Sequence, residues 1–258
     1  MSFSKIFLDK LPSAPTLAYN FAEYIVNFLN ELKIKYNIKW KIKGKTGTLI
    51  RDPQKFYERL NWCLKVIDKG SLTPYQQKII SELQNFFIYT HEIYVMCKML
   101  NYIIDEGGKI LNDKIYIVPG NLPSSCVRFE LNDEGMTLIY QAAILSPLLD
   151  KHHLRPDLII TKDLVENMSE FNDKYVNREK KPIVKCRALV ADAKVIVSER
   201  DVKQLRSYEE LFPEGSVFVI FALTSIPEEY KAKLVKWRVI VGGEFRKEFI
   251  KILNTLKT

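Results

Sequence analysis

The stretch ALVADAKVIV, residues 188–197, is the most informative part of the sequence. It is an apolar run with two charged residues, Asp192 and Lys194, near its middle. A run this apolar is typical of a strand that is covered on both faces. Side chains alternate across a strand, so Asp192 and Lys194 point to the same face. Because unpaired buried charges are costly, we expect a compensating partner or ligand on that face.

The sequence around this run predicts a sheet. From residue 187 onward the pattern alternates strand with helix, which is typical of an α/β sheet with helices packed on it. Residues 163–185 are polar and charged, which predicts a loop or a small insertion. Earlier strands are predicted at DKIYIV, SCVRFEL, MTLIYQAAI and RPDLIIT.

The first part of the chain is predicted to be largely helical. Amphipathic periodicity indicates helices over residues 15–33 and 53–68. One long helix follows, with Thr73 as its N-cap and Pro74 in its first turn, and the glycines at 107 and 108 end it.

Size and composition bound the class of protein. The chain has 258 residues, 47% of them hydrophobic, which is enough for one large domain or two small ones with real cores. We predict a helical, lysine-rich N-terminal region, residues 1–70, and an α/β core, residues 71–258. We find neither an apolar run long enough to cross a bilayer nor a secretion signal, so we expect a soluble, cytoplasmic protein without a membrane partner.

A basic segment near the N terminus is a candidate nucleic-acid interface. The formal charge of +8 and the pI near 9.1 favour a polyanionic partner. From Lys39 to Lys45 the lysines alternate, so one strand face would carry a row that tracks a phosphate backbone. Equally, lysines on an edge strand protect a sheet against aggregation. The candidate binding residues are Lys33, Lys35, Lys39, Lys41, Lys43 and Lys45.

Two other kinds of site are rejected. The four cysteines lie far apart and the three histidines are too few and scattered, so we predict no zinc site. The segment GKTGT, residues 44–48, has part of a phosphate-loop pattern, but Lys39 stands where that pattern requires glycine, and no helix is predicted after it. We therefore predict no nucleotide-binding loop.

Two further acids are candidates for a site with Asp192 and Lys194. Asp157 begins the apolar strand of RPDLIIT, and Glu92 lies on the apolar stripe of the long helix. Carboxylates gathered beside a lysine would hold a hard divalent cation and activate a water molecule. Such a shared metal would also compensate the charge of Glu92.

Each of these residues, taken singly, also has a structural explanation. Asp192 and Lys194 would form a salt bridge on an edge strand. Asp157, after a proline, would cap a turn. Glu92 would pair with a lysine across a helix interface.

The order of these residues along the chain resembles the PD-(D/E)xK nuclease superfamily. A glutamate on a helix is followed by R-P-D at a strand start and by D-x-K within the next apolar strand. Gln204 and Tyr208 then follow as Q-x-x-x-Y on a helix, as in RecB-like nucleases. The segment from THEIYVMCKML to ADAKV is most similar to the McrC-like branch of the superfamily. The resemblance as a whole covers roughly residues 75–225.

The sequence departs from the family pattern in two places. Asp192 stands where the superfamily more often has glutamate, although D-x-K is the usual form in the McrC-like branch. The gap between Asp157 and Asp192 is long, so residues 163–185 must be looped out of the sheet for the alignment to hold.

The resemblance implies a mixed-sheet, restriction-endonuclease-like core and a metal site. Asp157 and Asp192 would be metal ligands, joined by Glu92 directly or through water. The backbone carbonyl of Ala193 would also face the metal. Lys194 would orient or polarise the attacking water.

The resemblance also implies a role for the helix after this strand. Gln204 and Tyr208, one turn apart, share a helix face and would contact the scissile phosphate or the lysine. The alternative is an ordinary surface helix with Lys203 and Arg206 in solvent, on which Tyr208 only packs.

The function implied is Mg²⁺-dependent hydrolysis of DNA phosphodiester bonds, for which Mn²⁺ can substitute. Two alternatives stay open: a catalytically inactive nucleic-acid-binding subunit of a larger DNA-processing complex, and an RNA nuclease. We find no ATPase motif, so energy-coupled cutting would need a separate motor subunit, and a homo-oligomer is also left open.

Overall fold

The structure, a computed structural model, describes residues 11–119, 125–144, 155–177 and 183–241, together with residues 246, 249 and 251–253. The helices are α1 (Ala14–Tyr36), α2 (Gly44–Ile50), α3 (Pro53–Ile67), α4 (Pro74–Asp105), α5 (Met168–Tyr175), α6 (Glu199–Leu211) and α7 (Glu228–Lys231). The strands are β1 (Lys39–Ile42), β2 (Lys109–Ile110), β3 (Lys114–Ile117), β4 (Ser125–Leu131), β5 (Glu134–Tyr140), β6 (Leu158–Thr161), β7 (Val176–Asn177), β8 (Ile183–Val184), β9 (Ala188–Lys194), β10 (Val217–Ala222) and β11 (Trp237–Val241). This order confirms a mixed α/β fold with a helical N-terminal region.

Seven strands form the central sheet, in the order β11-β10-β9-β6-β5-β4-β2. β9, β10 and β11 run parallel, whereas each remaining neighbouring pair is antiparallel, so the sheet is mixed as predicted. Leu158 of β6 pairs with Ala191 of β9, which makes these two strands neighbours. The described residues between them, which include β7 and β8, therefore lie outside this sheet.

The strand that decides the fold is covered on both faces. Leu189 and Ala191 of β9 belong to one apolar core with α1 and α4, and Ala188 and Val190 belong to a second core with α5 and α6. All four side chains are fully buried. This alternation is the reason that residues 188–197 carry almost no polar side chains.

Local signals fix the ends of α4, which carries Glu92. Thr73 accepts a hydrogen bond from the backbone N–H of Gln76, and the Gln76 side chain accepts one from the Thr73 N–H, which is a complete capping box. Gly107 has a φ of +86°, in the left-handed region that favours glycine. The predicted N-cap and C-terminal stop of the long helix are both confirmed.

Residues 163–185 contain more structure than the predicted loop. Asn167 caps α5 by accepting the Glu170 N–H at 3.0 Å, and β7 pairs with β8 in a short hairpin. Phe171 and Tyr175 bury this helix against the second apolar core. α5 has only eight residues, so its three buried apolar side chains, Met168, Phe171 and Tyr175, span less than the window over which helical periodicity is read.

Two other sequence predictions differ from the structure. Gly44 begins α2, so the prediction that no helix follows GKTGT was wrong, although the missing loop glycine still argues against nucleotide binding. β1 ends at Ile42, which shortens the predicted row of lysines.

The N-terminal helices pack directly on the first half of α4. A third apolar cluster joins Phe56 and Leu60 of α3 to Leu83 and Phe87 of α4. The division at residue 70 stays a prediction. Within the described ranges, we find no helix that is both long and apolar enough to span a membrane.

Candidate active site

Asp157 and Asp192 lie across from each other on neighbouring strands. Leu158 pairs with Ala191, so continuing the antiparallel register by one residue brings Asp157 opposite Asp192. Directly opposed residues of an antiparallel pair share a face and have Cβ atoms about 5 Å apart. The structure therefore brings together the two aspartates that the sequence separates widely.

A backbone hydrogen bond fixes this arrangement. The N–H of Ala193 donates to Oδ2 of Asp157 at 2.8 Å. In an extended strand the N–H and C=O of one residue point to the same edge, so the Ala193 carbonyl also faces the Asp157 side. This is the position that the resemblance assigns to Ala193.

Lys194 closes the cluster on the side of α6. Its ammonium forms an ion pair with Oδ1 of Asp192 and lies 3.7 Å from Oδ1 of Asp201. Burial alone lowers the pKa of Lys194, but the carboxylates of Asp192, Asp157 and Asp201 outweigh it and raise that pKa well above its usual value. Lys194 therefore stays protonated at neutral pH.

The carboxylate of Asp192 is the least satisfied polar group of the cluster. Asp192 is fully buried, and neither of its oxygens accepts a hydrogen bond of regular geometry from the residues that the structure describes. Burial, followed by the negative charge of Asp157, raises the pKa of Asp192 well above its usual value. Lys194 offsets only part of this shift. A buried acceptor with free lone pairs is the group that a bound cation would satisfy.

Glu92 reaches the cluster from α4, where it is 4% exposed. Its Oε2 accepts hydrogen bonds from the Tyr140 hydroxyl at 3.1 Å and from Nε2 of Gln141 at 2.7 Å. Gln141 directly follows β5 with a φ of +50°, and its backbone N–H donates to the carbonyl of Asp157 at 2.6 Å. Gln141 thus ties the Glu92 carboxyl to the chain segment of Asp157.

Two of the acids have pKa values close to neutrality. Burial raises the pKa of Glu92 to about 7, against the opposing effects of the Gln141 hydrogen bond and of Lys194. Burial and the charge of Glu92 raise the pKa of Asp157 to about 7, which Lys194 and the Ala193 N–H partly offset. Because Glu92, Asp157 and Lys194 act on each other's charge, they share one poorly solvated region.

Gln204 and Tyr208 are joined on α6, as their spacing predicts. Nε2 of Gln204 donates to the Tyr208 hydroxyl at 2.8 Å. Tyr208 is fully buried in the second apolar core, whereas Gln204 is exposed. Burial and the charges of Asp192 and Asp157 raise the pKa of Tyr208 well above its usual value, which indicates that this hydroxyl lies near the acids.

The donor atoms of the cluster suit a hard cation, but they are not gathered into a preformed centre. Carboxylate and carbonyl oxygens are the ligands that Mg²⁺ and Mn²⁺ prefer. In the described part of the chain, no group of three or more His, Cys, Asp or Glu side chains is arranged to hold a metal ion. Oδ2 of Asp192, which has neither a hydrogen bond nor an ion pair among the described residues, is the observation that fits a cation here.

The six lysines of the predicted basic row lie on three different elements. Lys33 and Lys35 are on α1, where Lys35 pairs with Glu31. Lys39 and Lys41 are exposed on β1, and β1 pairs with β3 rather than with the central sheet. Lys43 is the N-cap residue of α2, and Lys45 within that helix lies 3.6 Å from Glu82. A single strand face thus carries only Lys39 and Lys41 of the six.

Sequence reasoning missed several residues of this region. Gln141 and Tyr140 end an apolar strand, and a polar residue at that position was the available signal. Asp201 was recognisable as the fourth residue of an S-x-x-D capping pattern after Ser198. Arg155 donates from Nε to the Gln141 carbonyl at 3.4 Å, and these residues are 14 positions apart in the sequence, beyond the reach of any local periodicity.

Comparison with protein-family models, with curated proteins and with solved structures finds no match to this chain. The resemblance to the PD-(D/E)xK nucleases therefore stays a prediction that depends on the residues described above.

Proposed function

We propose that this protein is a metal-dependent nuclease with a PD-(D/E)xK-like core that hydrolyses phosphodiester bonds of DNA. One observation carries the proposal. Asp157 and Asp192 are opposed on neighbouring strands, and the ammonium of Lys194 contacts Asp192 on the same face. Two carboxylates that can hold a metal ion and an ammonium beside them would together supply the charge that metal-assisted hydrolysis of a phosphodiester uses.

The metal site would be formed by oxygen atoms from three elements. Asp157 and Asp192 would supply one carboxylate each, the Ala193 carbonyl would supply a backbone oxygen, and Glu92 would join directly or through water. A bound Mg²⁺, or Mn²⁺ in its place, supplies positive charge at the phosphate and makes a bound water more acidic. Oδ2 of Asp192, buried without a partner among the described residues, supports this assignment.

Lys194 would act as a cation and hydrogen-bond donor. Its raised pKa keeps the ammonium charged, so it cannot accept a proton at neutral pH. It would instead orient the attacking water and stabilise the negative charge that develops on the phosphate oxygens. Asp201, which also contacts Lys194, would hold the ammonium in position.

Gln204 would contact the phosphate from α6. Its side chain is exposed while its amide is held by the Tyr208 hydroxyl, so the amide is both accessible and oriented. Tyr208, buried beneath it, would position Gln204. The net charge of +8 supports a polyanionic substrate, but charge alone does not distinguish DNA from RNA.

A second candidate is a catalytically inactive nucleic-acid-binding subunit of a larger DNA-processing complex. It is favoured by the lack of a preformed three-residue metal centre among the described residues. In such a subunit the ion pair of Lys194 with Asp192 would be structural.

A cleavage assay distinguishes the two candidates. Plasmid DNA, a DNA oligonucleotide and an RNA of the same sequence would be incubated with the protein in Mg²⁺, in Mn²⁺ and in EDTA. We expect metal-dependent cutting that falls at least about a hundredfold in Asp192→Asn, because a metal ligand is lost. Cutting of the RNA alone would show an RNA nuclease.

The matched control is Asp133→Asn, which makes the same chemical change in an exposed turn. Asp133 has a φ of +62°, a conformation that asparagine also accepts, so this variant is expected to cut as the wild type does. Nucleic-acid binding without cutting by any of the three proteins would favour the inactive binding subunit.

A further inference from the structure

A groove between α3 and α4 lies outside the acidic cluster. It encloses about 600 Å³, and a cavity of about 300 Å³ that shares Lys55, Arg59, Glu82 and Phe86 extends it toward α2. Beneath the groove the two helices pack through apolar side chains, so its shape is set by the fold. The sites predicted from the sequence do not use this surface, apart from the ion pair of Lys45 with Glu82 at its rim.

Solvent-exposed aromatic side chains line both walls of this groove. Trp62 of α3 is 39% exposed and Tyr75 of α4 is 73% exposed. Both line the same cavity, together with the partly buried ring of Phe86. Large aromatic rings that face solvent across a groove are typical of surfaces on which bases stack.

The groove also carries cations that lack an internal partner. Lys55 and Arg59 are one turn apart on α3, so their like charges repel each other. Within the described part of the chain neither forms an ion pair, whereas the acids of the groove are engaged. Glu82 lies 3.6 Å from Lys45, and Glu58 accepts a hydrogen bond from Gln54 at 2.9 Å. The groove and its extension are lined by Lys45, Lys55 and Arg59 against Glu58 and Glu82, a net charge of +1 that favours an anion.

One stripe of α4 leads from the groove to the acidic cluster. Tyr75, Ile79, Glu82, Phe86, Tyr89 and Glu92 follow each other at spacings of three or four residues. Tyr89 is half-buried and precedes Glu92 by three residues, so the two side chains are neighbours on one face of α4. With a rise of 1.5 Å per residue, Tyr75 and Glu92 are about 25 Å apart along the helix.

We propose that the groove between α3 and α4 binds single-stranded DNA and guides it along α4 to the acidic cluster. The inference rests on the proposed nuclease function, because it makes an unpaired strand the substrate of that site. Trp62 and Tyr75 stack on bases, and Lys55 and Arg59 contact phosphates. At about 3.4 Å per stacked nucleotide, the stripe spans about seven nucleotides. A rigid duplex presents no free base faces to these rings.

The test is fluorescence anisotropy with a fluorescein-labelled 16-nucleotide oligo(dT) in EDTA, where binding is separated from cutting. We expect the double variant Trp62→Ala/Tyr75→Ala to bind at least about tenfold more weakly than wild type, because base stacking is lost. Lys55→Gln/Arg59→Gln is expected to bind more weakly and to reduce the slope of log affinity against log salt by about 1.4.

Two control variants are matched in chemistry and lie outside the groove. Tyr36→Ala removes a ring that is 51% exposed on another surface. Lys65→Gln/Lys69→Gln removes two exposed cations of the same chain segment that do not line the groove. Both controls, and the groove variants, are expected to keep the wild-type thermal midpoint, so a loss of binding reports on the groove itself.

Two results would overturn the groove assignment. The first is oligo(dT) affinity that is unchanged in Trp62→Ala/Tyr75→Ala, as expected if a protein partner docks there. The second is an equal loss of affinity for a blunt duplex of the same length.

Cleavage in Mg²⁺ separates this inference from the proposed function. If the groove variants lose oligo(dT) binding but no protein cuts, the groove assignment stands and hydrolysis fails. If wild type cuts and the groove variants bind and cut as wild type does, hydrolysis stands and the groove assignment fails.

Discussion

Two aspartates, one on each side of Lys194 in the sequence, contact its ammonium. Their carboxylates differ in the hydrogen bonds that they accept. In the first turn of α6, Asp201 accepts hydrogen bonds from the N–H of Ser198, at 2.8 Å, and from its hydroxyl. At the end of β9, Asp192 is fully buried, and neither oxygen receives a hydrogen bond of regular geometry from the described residues.

The difference separates a structural acid from a candidate functional one. Asp201 belongs to a capping box, so its Oδ2 is used by the first turn of α6 while its Oδ1 faces Lys194. Asp192 pairs with Lys194 through Oδ1 only, and its Oδ2 has free lone pairs in a site where burial and Asp157 raise its pKa. Buried acceptors are rarely left unsatisfied without a ligand or a catalytic role. Lys194 contacts both acids, so its removal tests the two regions together.

Removing Lys194 should have the largest effect on stability. In Lys194→Ala we expect the free energy of unfolding in urea to fall by about 3–5 kcal/mol, because the buried Asp192 loses its partner. The double variant Lys194→Ala/Asp192→Ala is expected to regain part of this loss, as coupled residues do.

The matched control for this change is Lys203→Ala on α6. Lys203 is exposed and lies 3.4 Å from Glu199, so its loss should cost less than about 0.5 kcal/mol. A cost for Lys194→Ala as small as that of the control would show that Asp192 does not depend on the ammonium.

The pH dependence of stability should show whether Glu92, like Asp192, is a buried acid with a raised pKa. Its pKa is about 7 in the folded protein, against 4.5 for an exposed glutamate. The folded state then binds the proton more tightly, so without metal this residue destabilises the fold as pH rises from about 4.5 to about 7. Glu92→Gln removes this effect, and relative to wild type it should gain on the order of 3 kcal/mol between pH 5 and pH 8.

Thermal unfolding of both proteins in EDTA, measured across this pH range, tests the prediction. Burial lowers the pKa of His91 to about 3, which stabilises the fold as pH rises to about 6.5 and opposes the effect of Glu92. His91 is present in both proteins, so its contribution cancels in their difference. A difference that does not change with pH would contradict the raised pKa of Glu92.

Removing the capping acid should have the smallest effect. In Asp201→Asn we expect a loss of about 1 kcal/mol in the free energy of unfolding, since one member of a capping box is weakened. Cleavage should fall much less than in Asp192→Asn, because Asp201 touches Lys194 without facing the substrate. Equal losses of cleavage in the two variants would remove the distinction between the two regions.

Local rules let the sequence predict much of the fold. The apolar run 188–197, the cap at Thr73 and the stop at Gly107 depend on neighbouring residues, and the structure confirms each of them. Where the local signal was short, the prediction failed. α5, within residues 163–185, is too short to be recognised from periodicity, and it is stabilised by packing against the second core.

The lysine row failed for a related reason. Alternation from Lys39 to Lys45 indicated one strand, but β1 ends at Ile42 and Gly44 begins a helix. Gly47 permits this change of direction, because a Cβ there would lie 2.2 Å from the carbonyl oxygen of Ile42. That close approach of two backbone segments cannot be seen in the spacing of lysines.

From the sequence alone we could predict the α/β class and the order of helices and strands. It also singled out four charged residues in apolar surroundings: Glu92, Asp157, Asp192 and Lys194. Those features depend on composition and on periodicity over a few residues. The tertiary structure alone decided that β6 and β9 are neighbours, that Gln141 holds Glu92, and that Asp201 and Asp192 share one lysine. Such contacts join distant parts of the chain, and their energies depend on register and burial that exist only after folding.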